Sequence, residues 1–183
     1  MNIETTPIPD VRLITPTRHG DHRGFVSEVY SRQALIAAGI DIDFVQDNHT
    51  LSAMAGTVRG LHYQVPPMAQ AKLIRVASGA IYDVAVDLRK RSPTFGRHFG
   101  VIISADAWNQ VLVPVGFAHG FCTLAPNTEV LYRLSNDYSP AHERALLWND
   151  EALRIDWPVG TEDAILSERD RRNPRLSELT DLC

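Results

Sequence analysis

The run Gly56-Thr57-Val58-Arg59-Gly60-Leu61-His62-Tyr63-Gln64 sets one histidine inside an apolar, β-prone stretch, with Arg59 three residues before it and Lys72 ten residues after. A second histidine, His119, follows in Pro114-Val115-Gly116-Phe117-Ala118-His119-Gly120-Phe121, where a turn hands over to another apolar run. An imidazole can take a proton near neutral pH, and adjacent cations can hold an anion or steady a negative charge that develops during reaction. Two such histidines point to one shared pocket. His62 by itself fits equally well a core histidine satisfied by one or two hydrogen bonds. Arg59, Lys72 and Arg75 weigh against that reading, because buried cations without partners are costly and a bound anion removes the cost. Strand parity sets a condition: in a regular strand His62 shares a face with Gly60 and Gln64, and Arg59 lies on the other. Both reach one site only if Gly60 permits a bulge or Arg59 belongs to the preceding loop.

Carboxylates and a phenol complete the inventory. In Ala80-Ile81-Tyr82-Asp83-Val84-Ala85-Val86-Asp87-Leu88, alternation places Ala80, Tyr82, Val84, Val86 and Leu88 on one face and Ile81, Asp83, Ala85 and Asp87 on the other. Asp83 is the better pocket candidate, since Asp87 is expected to leave the sheet at its end. Tyr132 shares a strand face with Val130 and Leu134 and so points to the core side, where a tyrosine commonly packs and bonds a backbone group. Ser167-Glu168-Arg169-Asp170 reads as a helix start, and capping alone accounts for Asp170.

The elements that must carry these groups are mostly strands. Short β-rich runs at Gly24 to Tyr30, Gly56 to Gln64, Lys72 to Val76, Ala80 to Leu88, Phe99 to Ile103, Val111 to Val113 and Glu129 to Leu134 are separated by Gly, Pro, Asn and Asp, the pattern of an all-β sandwich or barrel. Helical spacing appears over Ser31 to Ala38, with Ser31 as cap and Gly39 as stop, and again after Ser167. Both helices are expected to be short and peripheral. With 183 residues, 44% of them hydrophobic and 22% charged, the chain can bury a sizeable core as a single domain over 1–183. Its net charge of −4 argues against a nucleic-acid partner, so any anionic ligand must be met by local arginine and lysine. No stretch approaches the roughly 20 apolar residues of a membrane span. The N-terminus lacks a secretory pattern and the two cysteines, Cys122 and Cys183, form no framework, so a cytoplasmic, reducing setting is expected.

Taken together, Asp21-His22-Arg23-Gly24-Phe25 with Glu28, Gln46-Asp47-Asn48-His49, Arg59 to Gln64, Lys72-Leu73, Asp83 to Asp87, Ser92-Pro93-Thr94-Phe95-Gly96 and Pro114 to Phe121 resemble the dTDP-4-dehydrorhamnose 3,5-epimerase family from about Pro9 to Asp170. The resemblance implies an all-β, cupin-type jelly roll (a double-stranded β-helix), a homodimer with strand exchange, a dTDP-4-keto-6-deoxy sugar as substrate and no cofactor. It also implies the third step on the route from glucose 1-phosphate to dTDP-L-rhamnose, a precursor for lipopolysaccharide and O-antigen. By motif, His62 resembles the family's base, Tyr132 its proton donor and Tyr138 the ring that stacks on thymine. Arg23, Glu28, Gln46, Asn48, Arg59, Lys72, His119, Glu143 and Arg169 resemble its substrate-binding residues. Arg169 departs from the lysine of many relatives, which keeps the charge and changes the contact geometry.

Metal-binding cupins use a His-x-His pair; here the second histidine is Gln64, so no metal is expected. Lys72 is expected to stabilise an enolate oxygen, placing it with His62, Tyr132 and Asp170 among the catalytic group. Either Asp170 or Asp83 can stand behind His62, the expectation being Asp170, with Asp83 paired to His119. Three alternatives stay open: an epimerase that inverts one carbon of a related sugar, a non-catalytic cupin that binds a nucleotide sugar, and a metal-dependent cupin.

Overall fold

The computed structural model describes residues 1–182. In chain order its strands are Asn2–Thr5 (β1), Arg12–Thr15 (β2), Arg18–Asp21 (β3), Gly24–Ser27 (β4), Gln46–Ser52 (β5), Val58–Gln64 (β6), Lys72–Ser78 (β7), Ala80–Asp87 (β8), His98–Ser104 (β9), Gln110–Val113 (β10), Phe117–Thr123 (β11), Thr128–Leu134 (β12) and Glu143–Ala145 (β13), with one helix at Arg32–Ala37 (α1). A six-stranded sheet runs β1-β2-β10-β7-β12-β5 and a five-stranded sheet runs β13-β6-β11-β8-β9, while β3 and β4 form a separate hairpin. Neighbouring strands pair antiparallel, so strands distant in sequence lie side by side, as in the expected jelly roll.

Alternation decides what each sheet buries. Ile74, Val76, Val111, Val113 and Val130 from the larger sheet meet Ile81, Ala85, Ile103, Phe117 and Phe121 from the smaller one in a core between them. The opposite face of β8 is buried as well: Val84, Val86 and Leu88 join Leu61, Tyr63 and Ala118 beneath Leu176, Leu179 and Leu182 of the C-terminal segment. That segment is fastened by Leu147 N donating to Pro174 O at 2.7 Å, Tyr63 Oη donating to Asp181 O at 3.1 Å and Arg144 Nε donating to Asp181 Oδ2 at 3.0 Å. It runs across the backs of β6 and β13.

Four features differ from the sequence reading. The strand expected from Gly24 to Tyr30 ends at Ser27 and belongs to an exposed hairpin, and the Val29 carbonyl beyond it accepts from Gln110 Nε2 at 2.9 Å. The polar run Gln46–Ser52 forms a full strand, because all seven of its residues pair with β12. Asp87 does not leave the sheet: it is fully buried, accepting from Arg89, Ser92 and Thr94, which hold its carboxyl well below the usual range against the upward push of burial. After Ser167 there are two short 3-10 turns, at Asp170–Arg172 and Leu176–Glu178, in place of an α-helix.

The expected cap of α1 is present, Ser31 Oγ accepting from Ala34 N with Gly39 at φ +79° beyond the end. Cys122 is buried, which pushes its thiol up to about 11; Cys183 lies outside the described residues. Among the described residues no helix is long and apolar enough to cross a membrane.

Candidate active site

The site is assembled on β6. His119 pairs with His62 and Phe121 with Arg59, so three steps along β6 match two along β11, and β6 carries one extra residue. Gly60 sits there with φ +135°, and a side chain on it would meet Gly120 Cα at 2.5 Å. This irregularity meets the parity condition: Val58, Leu61 and Tyr63 face the outer clusters, while Arg59 and His62 both line one interior cavity of about 300 Å³. Lys72, His119, Tyr132, Arg169 and Asp170 share it. A smaller adjoining cavity shares His62, Lys72 and Tyr132 and adds Asn48, Tyr138 and Glu143.

His62 is half-buried, and its Nε2 lies 2.7 Å from Oδ1 of the buried Asp170. A carboxylate only accepts, so this contact puts the imidazole proton on Nε2 and leaves Nδ1 as the basic nitrogen. Ser167 Oγ accepts from Asp170 N at 3.1 Å, so the capping contact foreseen from sequence exists, while the carboxylate itself is turned to His62. Burial pushes the Asp170 carboxyl up, but hydrogen bonds from His62, Ser167 and Asn173 outweigh it and hold the group below its ordinary value. The second histidine repeats the pattern: His119 Nε2 lies 2.8 Å from Asp83 Oδ2, both side chains buried.

Lys72 enters at the first position of β7 and donates to the His62 carbonyl at 3.2 Å. Burial pulls its ammonium down to about 8, against the attraction of Asp83 and Glu143. Arg59 is held by Ser52 Oγ and Leu51 O, each at 3.2 Å. Tyr132 faces inward from β12 beside Val130, as its strand parity required.

At the rim, Tyr138 Oη donates to Glu143 Oε2 at 2.9 Å and Arg169 binds the same oxygen; Glu143 thereby raises both the phenol and the guanidinium above their ordinary values. Gln46 accepts from Tyr138 N at 2.9 Å and donates to Asn48 Oδ1 at 2.8 Å, which ties the β5 edge to the half-exposed tyrosine ring.

Three sequence candidates lie elsewhere. Arg23, at the tip of the β3–β4 hairpin, is bound to Asp21 and lines a separate surface groove. Glu28 is exposed just past β4, and Arg75 points to the other side of β7 from Ile74 and Val76, beside Gln110 and Arg133. Conversely, Thr50, Phe121 and Ser167 line the main cavity although nothing in their types suggested it. Gln64, at the position of a cupin metal ligand, is spent on backbone: Nε2 donates to Met68 O and Asp137 O, and Oε1 accepts from Ser139 N. Among the described residues no three His, Cys, Asp or Glu side chains converge as metal ligands.

This fold and site have counterparts among known proteins. Residues 5–178 match the family model described as dTDP-4-dehydrorhamnose 3,5-epimerase. The dTDP-4-dehydrorhamnose 3,5-epimerase of Shigella flexneri is 47% identical over 93% of each chain. The crystal structure of dTDP-4-dehydrorhamnose 3,5-epimerase from Bacillus anthracis with TDP and PPi bound superposes with a TM-score of 0.92 at 52% identity, covering 95% of this chain and 98% of that one. The dTDP-6-deoxy-D-glucose-3,5-epimerase of Legionella pneumophila, in complex with dTDP-4-keto-L-rhamnose, gives 0.92 at 40% identity, covering 97% and 94%.

Proposed function

Because the chain belongs to the dTDP-4-dehydrorhamnose 3,5-epimerase family, we propose that its cavity takes dTDP-4-dehydro-6-deoxy-D-glucose and inverts C3 and C5, giving dTDP-4-dehydro-L-rhamnose. The observation that carries this reading is one cavity in which a carboxylate-backed imidazole, a buried ammonium and a phenol converge.

The C4 ketone acidifies the protons on both neighbouring carbons, since removing either gives an enolate on the same oxygen. His62 takes each proton through Nδ1, and Asp170 stabilises the imidazolium that results. Lys72 faces the enolate oxygen with a positive charge already in place in a partly dry site. Inversion needs the new proton on the opposite face of the ring, and Tyr132, on the facing sheet, is the donor. No cofactor enters, because the ketone itself supplies the electronic activation. Arg59, His119 and Arg169 hold the sugar and diphosphate, and Tyr138 stacks on thymine with Gln46, Asn48 and Glu143 fixing its position.

Arg23 and Glu28 reach substrate from a second copy of the chain. The support is the hairpin that bears Arg23, whose Phe25 and Val26 are 54% and 71% exposed on the single chain. The active species is accordingly a cytoplasmic homodimer of one-domain subunits.

Incubation with dTDP-4-keto-6-deoxyglucose in deuterated water, followed by NMR, tests the reading: exchange and inversion at both C3 and C5 are expected. Inversion at one carbon alone makes the protein a single-carbon epimerase, and absence of exchange makes it a binding protein.

A further inference from the structure

The proton-transfer scheme leaves Asp83 unused. Its side chain is 1% exposed, its Oδ2 is held by His119 Nε2 at 2.8 Å, and its Oδ1 is the one buried side-chain N or O atom without a hydrogen-bond partner among the described residues. A carboxylate oxygen left bare in the interior is strongly unfavourable unless an opposite charge stands near. Lys72 supplies that charge: its side chain is partly buried at the cavity wall, its ammonium has one hydrogen bond, to the His62 carbonyl, and the nearby Asp83 and Glu143 oppose the burial that lowers it.

The groups gathered about Lys72 are His62 and Arg59 on β6, Asp83 on β8, His119 on β11, Tyr132 on β12, Glu143 on β13, and Arg169 and Asp170 beyond Ser167. Of the acids, Asp170 is engaged with His62 and Asn173, and Glu143 is shared by Tyr138 and Arg169. Only Asp83, among the described residues, has an oxygen that is both fully buried and without a hydrogen-bond partner.

We propose that Asp83 is the buried counter-ion of Lys72, a positioning residue that His119 holds in place and whose charge keeps the lysine an ammonium where the enolate oxygen forms. The Lys72–Asp83 coupling rests on the bare buried Oδ1 and on a lysine close to the His119 that holds Asp83, with no direct ion pair within 4 Å, and its consequence for the reaction rests on the function proposed above. The two can therefore fail separately.

The chain has just two lysines, Lys72 and Lys90, so protein labelled with carbon-13 at lysine Cε gives two NMR signals, and a Lys72→Arg variant assigns them. In the unaltered protein the Lys72 signal is expected to titrate near pH 8. Asp83→Asn should lower that midpoint by roughly one unit or more while Lys90 stays fixed, because an opposing charge has been removed. An unmoved Lys72 midpoint overturns the proposal. The alkaline limb of kcat/KM should shift to lower pH with the signal. A shifted signal with an unshifted limb upholds the counter-ion and overturns the role of Lys72 at the enolate.

Should Asp83→Asn not fold, Asp83→Glu decides: it keeps the charge but carries it one methylene further, so the Lys72 midpoint must move while Lys90 stays fixed. An unmoved Lys72 midpoint in that variant also overturns the proposal.

Discussion

Asp170 Oδ1 stands 2.7 Å from His62 Nε2, although 108 residues separate the two in the chain. The acid comes from a turn whose backbone is capped by Ser167 and whose far side is tied to β6 and β13 by the C-terminal segment. Asp170→Asn replaces an acceptor with a group that can donate, which favours the tautomer with Nδ1 protonated and removes the base. A loss in kcat of roughly 10² to 10⁴ is expected, as when a serine-protease triad loses its carboxylate. Calorimetry at pH 7 should show the melting temperature lowered by far too little to account for that loss of activity. The folded carboxyl is held below its ordinary value, so its stabilising contribution is present above pH ~4 and lost only as pH falls through the depressed value. A loss of activity matched by a loss of fold would return Asp170 to a purely capping role.

His62→Ala removes the shared base. Deuterium incorporation from solvent at C3 and at C5 should both vanish in the NMR assay, while circular dichroism still shows the parent fold, since His62 is half-buried and belongs to none of the apolar core clusters. Appreciable exchange at either carbon would show that the two positions do not share one base.

Tyr132→Phe keeps the ring in its place against the inter-sheet core and deletes only the hydroxyl. Proton removal, read as exchange, should persist, whereas inversion should be lost, mainly at C5. Formation of the doubly inverted sugar at the parent rate would assign the proton donor elsewhere.

Much of this arrangement was legible in the chain, for definite reasons. Period-2 alternation in β8 separates Asp83 from Val84 and Val86, and the inner and outer clusters sort those residues as the alternation requires. Gly60 was visible as the residue on which a common face for Arg59 and His62 depended, and the register shift lies beside it. What could not be read is whatever depends on long-range pairing. Gln46–Ser52 has a loop's composition and becomes a strand because β12 offers seven partners. Asp87 looks like a strand end entering a basic loop, yet Arg89, Ser92 and Thr94 fold back over it. Asp170 carried a complete local explanation as a cap, and only the tertiary path of the C-terminal segment brings its carboxylate to His62. Arg23 and Glu28 are absent from the cavity for a related reason: the hairpin that bears Arg23 packs through Phe25 and Ser27 on Trp108, and Glu28 is exposed just beyond it.

Lys72 should set the alkaline limit of the reaction. Burial lowers its ammonium to about 8 from 10.5, so the charged form needed at the enolate oxygen prevails below that pH and is lost above it. kcat/KM is expected to fall about tenfold per pH unit beyond the midpoint. The same shift has the opposite sign for stability: between about 8 and 10.5 the unfolded chain binds more protons than the folded one, so this lysine makes folding more favourable as pH rises across that window. A drop in rate without a drop in melting temperature just above pH 8 therefore separates titration of the site from unfolding. A rate that stays flat to pH 10 contradicts the assignment.

Gly60→Ala probes the bulge that brings Arg59 and His62 to one cavity. The backbone there has φ +135°, a region that costs an L-residue about 1–3 kcal/mol, and the new Cβ would lie 2.5 Å from Gly120 Cα on the paired strand. Backbone cannot swing aside like the end of a flexible side chain, so β6 and β11 must separate or the register must slip. Overpacking of this kind adds about 1–3 kcal/mol. A slip of one position would carry Arg59 and His62 together to the outer face, where Val58, Leu61 and Tyr63 now pack. The expected result is a melting temperature lowered by several degrees together with a fall in kcat/KM that stabilising additives do not restore. The control is Gly24→Ala: that glycine also has positive φ, but nothing lies within 4 Å of an added Cβ, so it carries the backbone strain without the clash. Equal destabilisation by the two substitutions would mean that the close approach of Gly60 to Gly120 contributes nothing of its own.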